Sequence, residues 1–233
     1  MAKRAVFFDL GGTLLVMRRD RIFRTVLAQE GYPLGIDRIH AAYSEAESSW
    51  LKRHGHRNLG PERSVESYRR LDGSAFREIY PDAPRSEVFR VSRLIRERWP
   101  ELEGRFPPRL YRDVVPALDR LRRQGYHLGL VSNGPPETVL TIRKLGLDHY
   151  MTNVVISGDV GVSKPDPAIF EAAMKNAGVG PSDTLHVGDV YEADVVGAKR
   201  AGITGVLIDR NGPSRSYDCR TIRTLQDIFP LLV

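Results

Sequence analysis

A short apolar run near the amino terminus, Ala5–Phe8, ends in one carboxylate, Asp9, and glycines follow at positions 11 and 12. The apolar run predicts a buried strand, and the glycines predict a turn where that strand ends. In an open α/β sheet, ligands bind at the carboxyl ends of the strands. The pattern therefore predicts that Asp9 is a nucleophile or a metal ligand at such an edge.

Short apolar strands alternate with helical patterns from about Leu110 onward. This alternation favours an α/β fold with a parallel sheet and right-handed crossovers. The predicted strands are His127–Val131, Asn153–Ile156, Thr184–Val187 and Thr204–Ile208, and the predicted helices are Asp113–Gln124, Glu137–Leu145, Pro167–Ala177, Ala193–Ala201 and Thr221–Leu232.

Residues 17–105 differ from the rest, because their apolar residues follow helical spacing and strands are scarce. We therefore predict an α/β core of residues 1–16 and 106–233, with residues 17–105 inserted where they can cover the carboxyl edge of the sheet. The helical segments include Ile22–Leu27, Ala42–Leu51 and Val88–Trp99, and Pro100, Pro107 and Pro108 mark the end of the insertion.

Charge and composition exclude several classes of protein. The net charge is +6, and 29 of the 35 basic residues are arginine. The arginines are interspersed with acids and form no aromatic–basic platform, which favours solvated helix faces over nucleic-acid binding. No apolar stretch approaches the roughly 20 residues of a membrane helix, and Asp9 interrupts the run that resembles a signal peptide. The one cysteine, Cys219, excludes an internal disulfide, so we expect a cytoplasmic protein.

Polar residues suited to anion chemistry follow three of the predicted strands. They are Asp9, the pair Ser132 and Asn133, and Asp189. Lys164 lies in a loop before a predicted helix, and Asp194 lies near the start of another. In a parallel sheet these strand ends share one edge, so the sequence predicts a single polar site.

The chemistry of this set suits phosphoryl transfer. A carboxylate nucleophile such as Asp9 needs positive charge nearby, because the phosphoryl group is also anionic. Lys164 supplies one charge, and Mg²⁺ held by Asp9 and Asp189 supplies two more. Ser132 can donate a hydrogen bond to a phosphoryl oxygen. Backbone N–H groups can cradle the other oxygens, and they belong to Leu10, Gly11, Gly12 and Asn133.

The order of these motifs resembles that of the haloacid dehalogenase-like (HAD) hydrolase superfamily. The four segments that carry the resemblance are Asp9–Thr13, Val131–Asn133, Lys164–Pro165 and Gly188–Asp194. The resemblance implies a Rossmann-like sheet with Asp9 on its central strand and a helical cap over residues 17–105. It also implies that Asp9 becomes phosphorylated, that Asp9 and Asp189 hold magnesium, and that Asp194 supports the metal site.

Gly11 departs from the pattern of the phosphatases in this superfamily. They usually carry a second aspartate there, which protonates the leaving alcohol and later activates water. Glycine can do neither, and general acid–base catalysis contributes roughly 10²–10⁴-fold. The backbone carbonyl of Gly11 can still bind Mg²⁺, so the metal site can survive without the proton donor.

Three enzymatic interpretations are therefore open, and the first two differ in the leaving group. One is a phosphatase that acts best on acyl or aryl phosphates, or in which His54 or His56 replaces the missing acid. The other is a 2-haloacid dehalogenase, whose halide leaving group needs no proton. Tyrosine is usual at position 11 in those dehalogenases, and Asp189 would repel an anionic substrate, so the phosphatase is favoured.

Two further readings use residues of the predicted cap. A phosphonatase-like enzyme would need Lys52 as a Schiff-base lysine. A non-catalytic module could bind a phosphorylated ligand or a protein through the arginines at positions 18, 19, 21 and 24. We predict a magnesium-dependent hydrolase of a small phosphorylated molecule, and the sequence defines neither the particular substrate nor the oligomeric state.

Overall fold

A computed structural model describes residues 3–16, 18–54, 65–210 and 216–232, with the backbone alone for residues 51–54 and 65–67. The strands in these ranges are β1 (Ala5–Phe8), β2 (His127–Ser132), β3 (Asn153–Ile156), β4 (Thr184–Gly188), β5 (Thr204–Ile208) and β6 (Arg220–Ile222). The helices are α1 (Arg18–Gln29), α2 (Ile36–His54), α3 (Val65–Ile79), α4 (Arg85–Arg105), α5 (Val114–Arg123), α6 (Thr138–Lys144), α7 (Ser157–Val160), α8 (Pro167–Ala177) and α9 (Gly197–Arg200).

The sheet is parallel throughout, in the order β3-β2-β1-β4-β5-β6. This confirms the predicted α/β, Rossmann-like class. The chain runs outward from β1 to β3 on one side and from β4 to β6 on the other, so the strand order reverses beside β1. Such a reversal opens a crevice at the carboxyl ends of the strands, which is where Asp9 follows β1.

Strand β1 is apolar without interruption because both faces of the sheet are covered. Val6 and Phe8 pack into the cluster on one face, with Leu130. Ala5 and Phe7 pack into the cluster on the other face, with Phe170 of α8. All four residues of β1 are fully buried, as expected for the central strand of a parallel sheet. Asp9 is thus attached to a strand held rigidly from both sides.

Two predicted helices near the carboxyl terminus differ from the structure, the first in its bounds and helical form and the second in its type. Residues predicted as one helix over Ala193–Ala201 form a wide π-helical turn, Tyr191–Val196, before α9. The predicted helix Thr221–Leu232 is instead β6 followed by a 3₁₀ turn, Leu225–Leu231. Pro230 lacks the N–H that an α-helix would use there, and β6 pairs with β5 along its open edge.

The described residues form two compact units, one of residues 3–16, 54, 109–210 and 216–232 and one of residues 18–53 and 65–108. In the first unit, the backbone on either side of the helical segment is paired. The Val16 N–H donates to the Arg109 carbonyl at 2.9 Å, and the Tyr111 N–H donates to the Leu14 carbonyl at 3.0 Å. The helical segment therefore leaves and re-enters the first unit at adjacent points.

The second unit consists of α1, α2, α3 and α4 around an apolar core that includes Phe23, Tyr43 and Phe76. Helix α3 was not predicted. Pro100 was predicted to mark the end of the insertion, but it lies inside α4. Pro100 is exposed, so its missing N–H removes one helical hydrogen bond at the surface rather than in the core.

A buried ionic group lies within this helical core. The carboxylate of Asp72, 1% exposed, accepts a hydrogen bond from the Tyr43 hydroxyl at 2.5 Å. The Arg96 Nε lies 2.5 Å from the other Asp72 oxygen, and the Arg96 guanidinium packs 4.2 Å from the centre of the Trp99 ring. Burial raises the pKa of Asp72 to about 6, although Arg96 and Tyr43 oppose the rise.

We expect Arg96→Met to lower the free energy of unfolding by about 3–5 kcal/mol at pH 8, because it leaves the Asp72 carboxylate buried and unpaired. The loss should be smaller at pH 5, since Asp72 can then take up a proton. Urea unfolding of the wild type and the variant at pH 8 and pH 5 measures the loss of stability at each pH. Arg93→Met is the matched control, because Arg93 pairs with Glu97 at the surface of the same helix, and we expect it to change stability by less than about 1 kcal/mol. Equal losses for the two variants would contradict the prediction.

Candidate active site

Asp9 lies at the carboxyl edge of the central strand and continues its pairing with β4. Its N–H donates to the Val187 carbonyl at 2.9 Å. Asp189 follows β4 in the same way, and the side chains of both residues are nearly buried, each residue being 8% exposed. Two adjacent parallel strands thus bring two carboxylates to the edge that the sequence predicted.

The loop after Asp9 folds tightly on itself. The N–H groups of Leu14 and Leu15 both donate to the Leu10 carbonyl, at 3.0 and 2.8 Å. The Gly12 N–H, which was predicted to bind a phosphoryl oxygen, instead donates to the Leu15 carbonyl at 2.8 Å. Gly12 has a φ of 79°, a left-handed conformation that favours glycine. A Cβ at Gly12 would also collide with the Asp189 carboxylate. The loop backbone therefore reaches Asp189 only because residue 12 has no side chain.

Lys164 bridges two carboxylates of the site, those of Asp9 and Asp194. Its ammonium donates to Asp9 Oδ1 at 2.6 Å and to Asp194 Oδ1 at 2.7 Å. The lysine is 2% exposed, so this cation is removed from water together with both carboxylates. A buried charge requires such pairing, because the desolvation of an unpaired ion is very unfavourable.

The loop that carries Lys164 is held by Asn133, directly after β2. The Asn133 Nδ2 donates to the Lys164 carbonyl at 2.9 Å, and its Oδ1 accepts from the Lys164 N–H at 2.8 Å. Asn133 was predicted to bind substrate. Both of its side-chain bonds go to the backbone of Lys164, so its contacts serve to position that residue. The predicted substrate donor Ser132 ends β2 and is 5% exposed.

Asp194 is held from three directions in the turn after β4. Its Oδ2 accepts from the Val190 N–H at 3.0 Å, and its Oδ1 contacts both Lys164 and the Nε2 of His186, at 3.0 Å. Because an ionised carboxylate only accepts, His186 donates from Nε2. A Cβ at Gly188 would collide with the Asp194 side chain, which explains the glycine before Asp189.

Two residues of this site, His186 and Thr13, were given no role from the sequence. His186 is fully buried in β4, and its signal was a polar residue inside an apolar strand next to Asp189. Thr13 is also fully buried, and its hydroxyl donates to Asp189 Oδ1 at 3.3 Å. Each residue contacts a carboxylate that was predicted to belong to the site. These contacts join residues that are distant in the chain or lie on different elements, so only the fold reveals them.

The charges in the site perturb one another strongly. Burial raises the pKa of Asp9 to about 6, against the opposing effect of Lys164 and with a contribution from the negative charge of Asp194. Burial acts in the same direction on Asp194, but Lys164 and His186 outweigh it and hold its pKa well below the usual range. Burial lowers the pKa of His186, which is therefore neutral. The structure thus holds Asp194 as a permanent anion and Asp9 as the carboxylate that can take up a proton.

Several oxygens at this edge suit a hard divalent cation. Mg²⁺ in proteins is commonly held by one or two carboxylates, with carbonyl groups and waters. Asp9, Asp189 and the Gly11 carbonyl are the predicted set, and the Asp189 carboxylate fills the space that a side chain on Gly12 would take. Within the described ranges, no three or more His, Cys, Asp or Glu side chains cluster as a metal site. The contacts of Asp194 with protein donors fit a supporting role rather than direct coordination.

The remaining candidate residues belong to the helical segment. Nothing is described for the side chains of Lys52 and His54, and His56 lies outside the described residues. Arg18 pairs with Glu103 at 2.6 Å, and Arg19 packs 4.0 Å from the centre of the Tyr43 ring. Arg21 packs 4.5 Å from the centre of the Phe106 ring, so contacts within the helical unit involve three of the four arginines that were considered for anion binding.

No helix among the described residues is long and apolar enough to cross a membrane.

Comparison with known proteins assigns the chain to a family. The model of the haloacid dehalogenase-like hydrolases matches residues 3–202, and the chain belongs to this family of hydrolases, as the motifs predicted.

Relatives in this family include proteins named as phosphatases and proteins named as dehalogenases. A glyceraldehyde 3-phosphate phosphatase from Methanopyrus kandleri is 42% identical over 101 residues, which are 43% of each chain. The crystal structure of a HAD phosphatase from Thermococcus onnurineus is 30% identical and covers 98% of this chain and 97% of that one, with a TM-score of 0.59. That of a 2-haloacid dehalogenase from Pseudomonas syringae pv. Tomato DC3000 is 26% identical and covers 100% and 98%, with a TM-score of 0.57. The chain spans about half the length of the curated relatives that it matches.

We expect Asp9→Asn to change how stability depends on pH in protein treated with EDTA. The folded pKa of Asp9 is about 6, above the ordinary value of 3.8, so the folded state binds more protons between these values. The free energy of unfolding of the wild type should therefore fall, by about 2 kcal/mol, as the pH rises from 4 to 7, relative to the variant. Urea unfolding across this range measures the difference.

The control for this prediction is Asp159→Asn, at an exposed position of the same unit. Its stability should follow the wild type at every pH. An Asp9→Asn protein whose pH dependence matched that of the wild type would show that burial does not raise the proton affinity of Asp9.

Proposed function

We propose that this protein is a magnesium-dependent phosphatase that hydrolyses a small phosphorylated molecule through a phosphorylated Asp9. The observation that carries the proposal is the Lys164 ammonium, which lies 2.6 Å from Asp9 and 2.7 Å from Asp194. This cation lies beside the carboxylate that would attack. It is also next to a loop in which the Gly11 N–H can donate to a phosphoryl oxygen. The phosphatase names of two relatives support the same reaction.

Asp9 is the nucleophile in this proposal. With a pKa of about 6, its carboxylate is mainly ionised at neutral pH. One of its oxygens bonds to phosphorus, and the bond between phosphorus and the leaving oxygen breaks. Water then attacks the phosphorus of the aspartyl phosphate, which releases inorganic phosphate and restores the carboxylate. The leaving group takes its proton from solvent water, because Gly11 has no acidic side chain to donate it.

The other residues bind and orient the phosphoryl group. Lys164 balances its charge, and Ser132 donates to one of its oxygens. Asn133 holds the backbone of Lys164, and Asp194 fixes the direction of the ammonium. Asp9, Asp189 and the Gly11 carbonyl would hold Mg²⁺, with Asp194 in support. When bound, Mg²⁺ supplies additional positive charge for the phosphoryl oxygens.

The missing acid limits which substrates turn over well. An acyl or aryl leaving group departs without much protonation, whereas an alkoxide requires a proton as the bond breaks. We therefore propose acyl or aryl phosphates as the better substrates. The helical segment, residues 17–105, is proposed to be a cap that excludes water and selects the substrate. The single cysteine supports a cytoplasmic location.

A second candidate is a 2-haloacid dehalogenase, which is favoured by the likeness to a solved dehalogenase over the whole chain. In that reaction Asp9 would displace a halide, which needs no proton. The nearly buried Asp189 speaks against it, since a second carboxylate beside Asp9 would repel a carboxylate substrate unless a cation neutralised it.

A substrate panel tests the proposal. Acetyl phosphate, p-nitrophenyl phosphate, an alkyl phosphate and 2-chloropropionate are each incubated with Mg²⁺ or with EDTA. We expect phosphate release that requires Mg²⁺, is fastest with the acyl and aryl phosphates, and is lost in Asp9→Asn. Chloride release without metal would establish the dehalogenase instead. Inactivity on every substrate, with binding of inorganic phosphate retained, would identify a non-catalytic binding module.

The role of position 11 is tested by Gly11→Asp. If the absent acid limits the reaction, this variant should raise turnover of the alkyl phosphate by about 10²-fold, and turnover of acetyl phosphate far less. Steady-state kinetics on both substrates measure the contrast, and acetyl phosphate serves as the internal control. A folded variant that gains nothing on the alkyl phosphate would show that another group already donates the proton.

A further inference from the structure

Arg210, two residues after β5, binds the loop that follows Asp9. Its Nε and Nη2 both donate to the Thr13 carbonyl, at 3.1 and 2.5 Å. Its Nη1 donates to both carboxylate oxygens of Asp113, at 2.9 and 3.1 Å. The guanidinium also packs 3.8 Å from the centre of the Tyr111 ring. One side chain thus joins the loop after β1 to the start of α5.

This arrangement is buried and anchored to the core. The side chain of Arg210 is 8% exposed and that of Asp113 is 17% exposed, so the ion pair is largely withdrawn from water. Asp113 is fixed in turn, because its Oδ2 accepts from the Leu225 N–H at 2.7 Å. The planar guanidinium makes this geometry possible, since its several N–H groups donate to the carbonyl and to the carboxylate at the same time.

The carbonyl that Arg210 holds belongs to a residue of the site. Thr13 donates its hydroxyl to Asp189, and Gly11 and Gly12 precede it in the same loop. Glycine adds conformational freedom to the backbone, so a loop with two glycines needs an external restraint to present its N–H and carbonyl groups in one geometry. The hydrogen bonds from Arg210 supply that restraint from outside the loop.

We propose that Arg210 is a positioning residue for catalysis, which holds the loop from Leu10 to Leu15 in the conformation that serves Asp9 and Asp189. The inference rests on the proposed function, because the loop matters for turnover only if a phosphoryl group binds there. Arg210 does not touch the reacting atoms. It acts through the Thr13 carbonyl, and displacement of a positioning element by about 1 Å can reduce a rate about 10²-fold.

Arg210→Gln tests the inference, with Arg120→Gln as the matched control. Arg120 also packs over an aromatic ring of the same unit, 3.7 Å from the centre of Phe229, and it lies outside the proposed site. Asp113→Asn is a second variant that weakens the ion pair and keeps the arginine. Hydrogen–deuterium exchange of the Leu14 and Leu15 amides is measured by NMR alongside acetyl phosphate turnover.

We expect Arg210→Gln to speed exchange of the loop amides by about tenfold or more, while the amides within α8 exchange as in the wild type. The kcat should fall by about 10–100-fold with less than a threefold change in KM, because the restraint orders the site rather than adding a substrate contact. Asp113→Asn should show a smaller effect of the same kind. Arg120→Gln should match the wild type in both measurements.

Three results would overturn the inference. They are unchanged exchange in the loop, equally faster exchange in the loop and in α8, and faster loop exchange with unchanged kcat. If wild-type protein hydrolyses no phosphate, the proposed function fails, and the exchange of the loop amides then decides by itself whether Arg210 holds the loop.

Discussion

The candidate active site depends on one buried cation, the Lys164 ammonium, which lies between two carboxylates. Without this ammonium, the carboxylates of Asp9 and Asp194 would repel each other. Each of the three charges would also be unstable if it were buried without its partner, because desolvation of an unpaired ion is costly. Other polar side chains of the site keep this ammonium group in position. Asn133 binds the backbone of Lys164 at both its N–H and its carbonyl, and His186 donates to the carboxylate that faces it.

The contacts around Lys164 also separate the roles of the two acids. Asp194 accepts hydrogen bonds from three groups and stays ionised, so it acts as a fixed counter-charge. Asp9 shares the same lysine but is more costly to ionise, because burial acts on it with less compensation. A carboxylate of this kind favours any step that removes its negative charge, and bond formation to phosphorus is such a step. The electrostatics are therefore consistent with covalent chemistry at Asp9.

Sequence reasoning found the parts of the site that lie where strands end. The bounds of β3, β5 and α8 agree with prediction, since each has strong local signals. His186 and Arg210 were missed, because their importance comes from partners far along the chain. Arg210 is 197 residues from Thr13, and no local pattern reports such a contact. The carboxyl-terminal segment was predicted as a helix because apolar spacing alone does not reveal that Pro230 and the open edge of β5 favour other structures.

The paired backbone at Val16 and Arg109 has a consequence for how such a chain can diversify. A segment whose two ends already meet can be lengthened, shortened or exchanged with little effect on the sheet, because the entropy of closing a loop grows only slowly with its length, by roughly 0.6 kcal/mol for each doubling. Recombination at this junction could therefore replace residues 17–108 as a block. The fold thus keeps the parallel sheet, which carries the candidate site, separate from a helical segment whose sequence can change on its own.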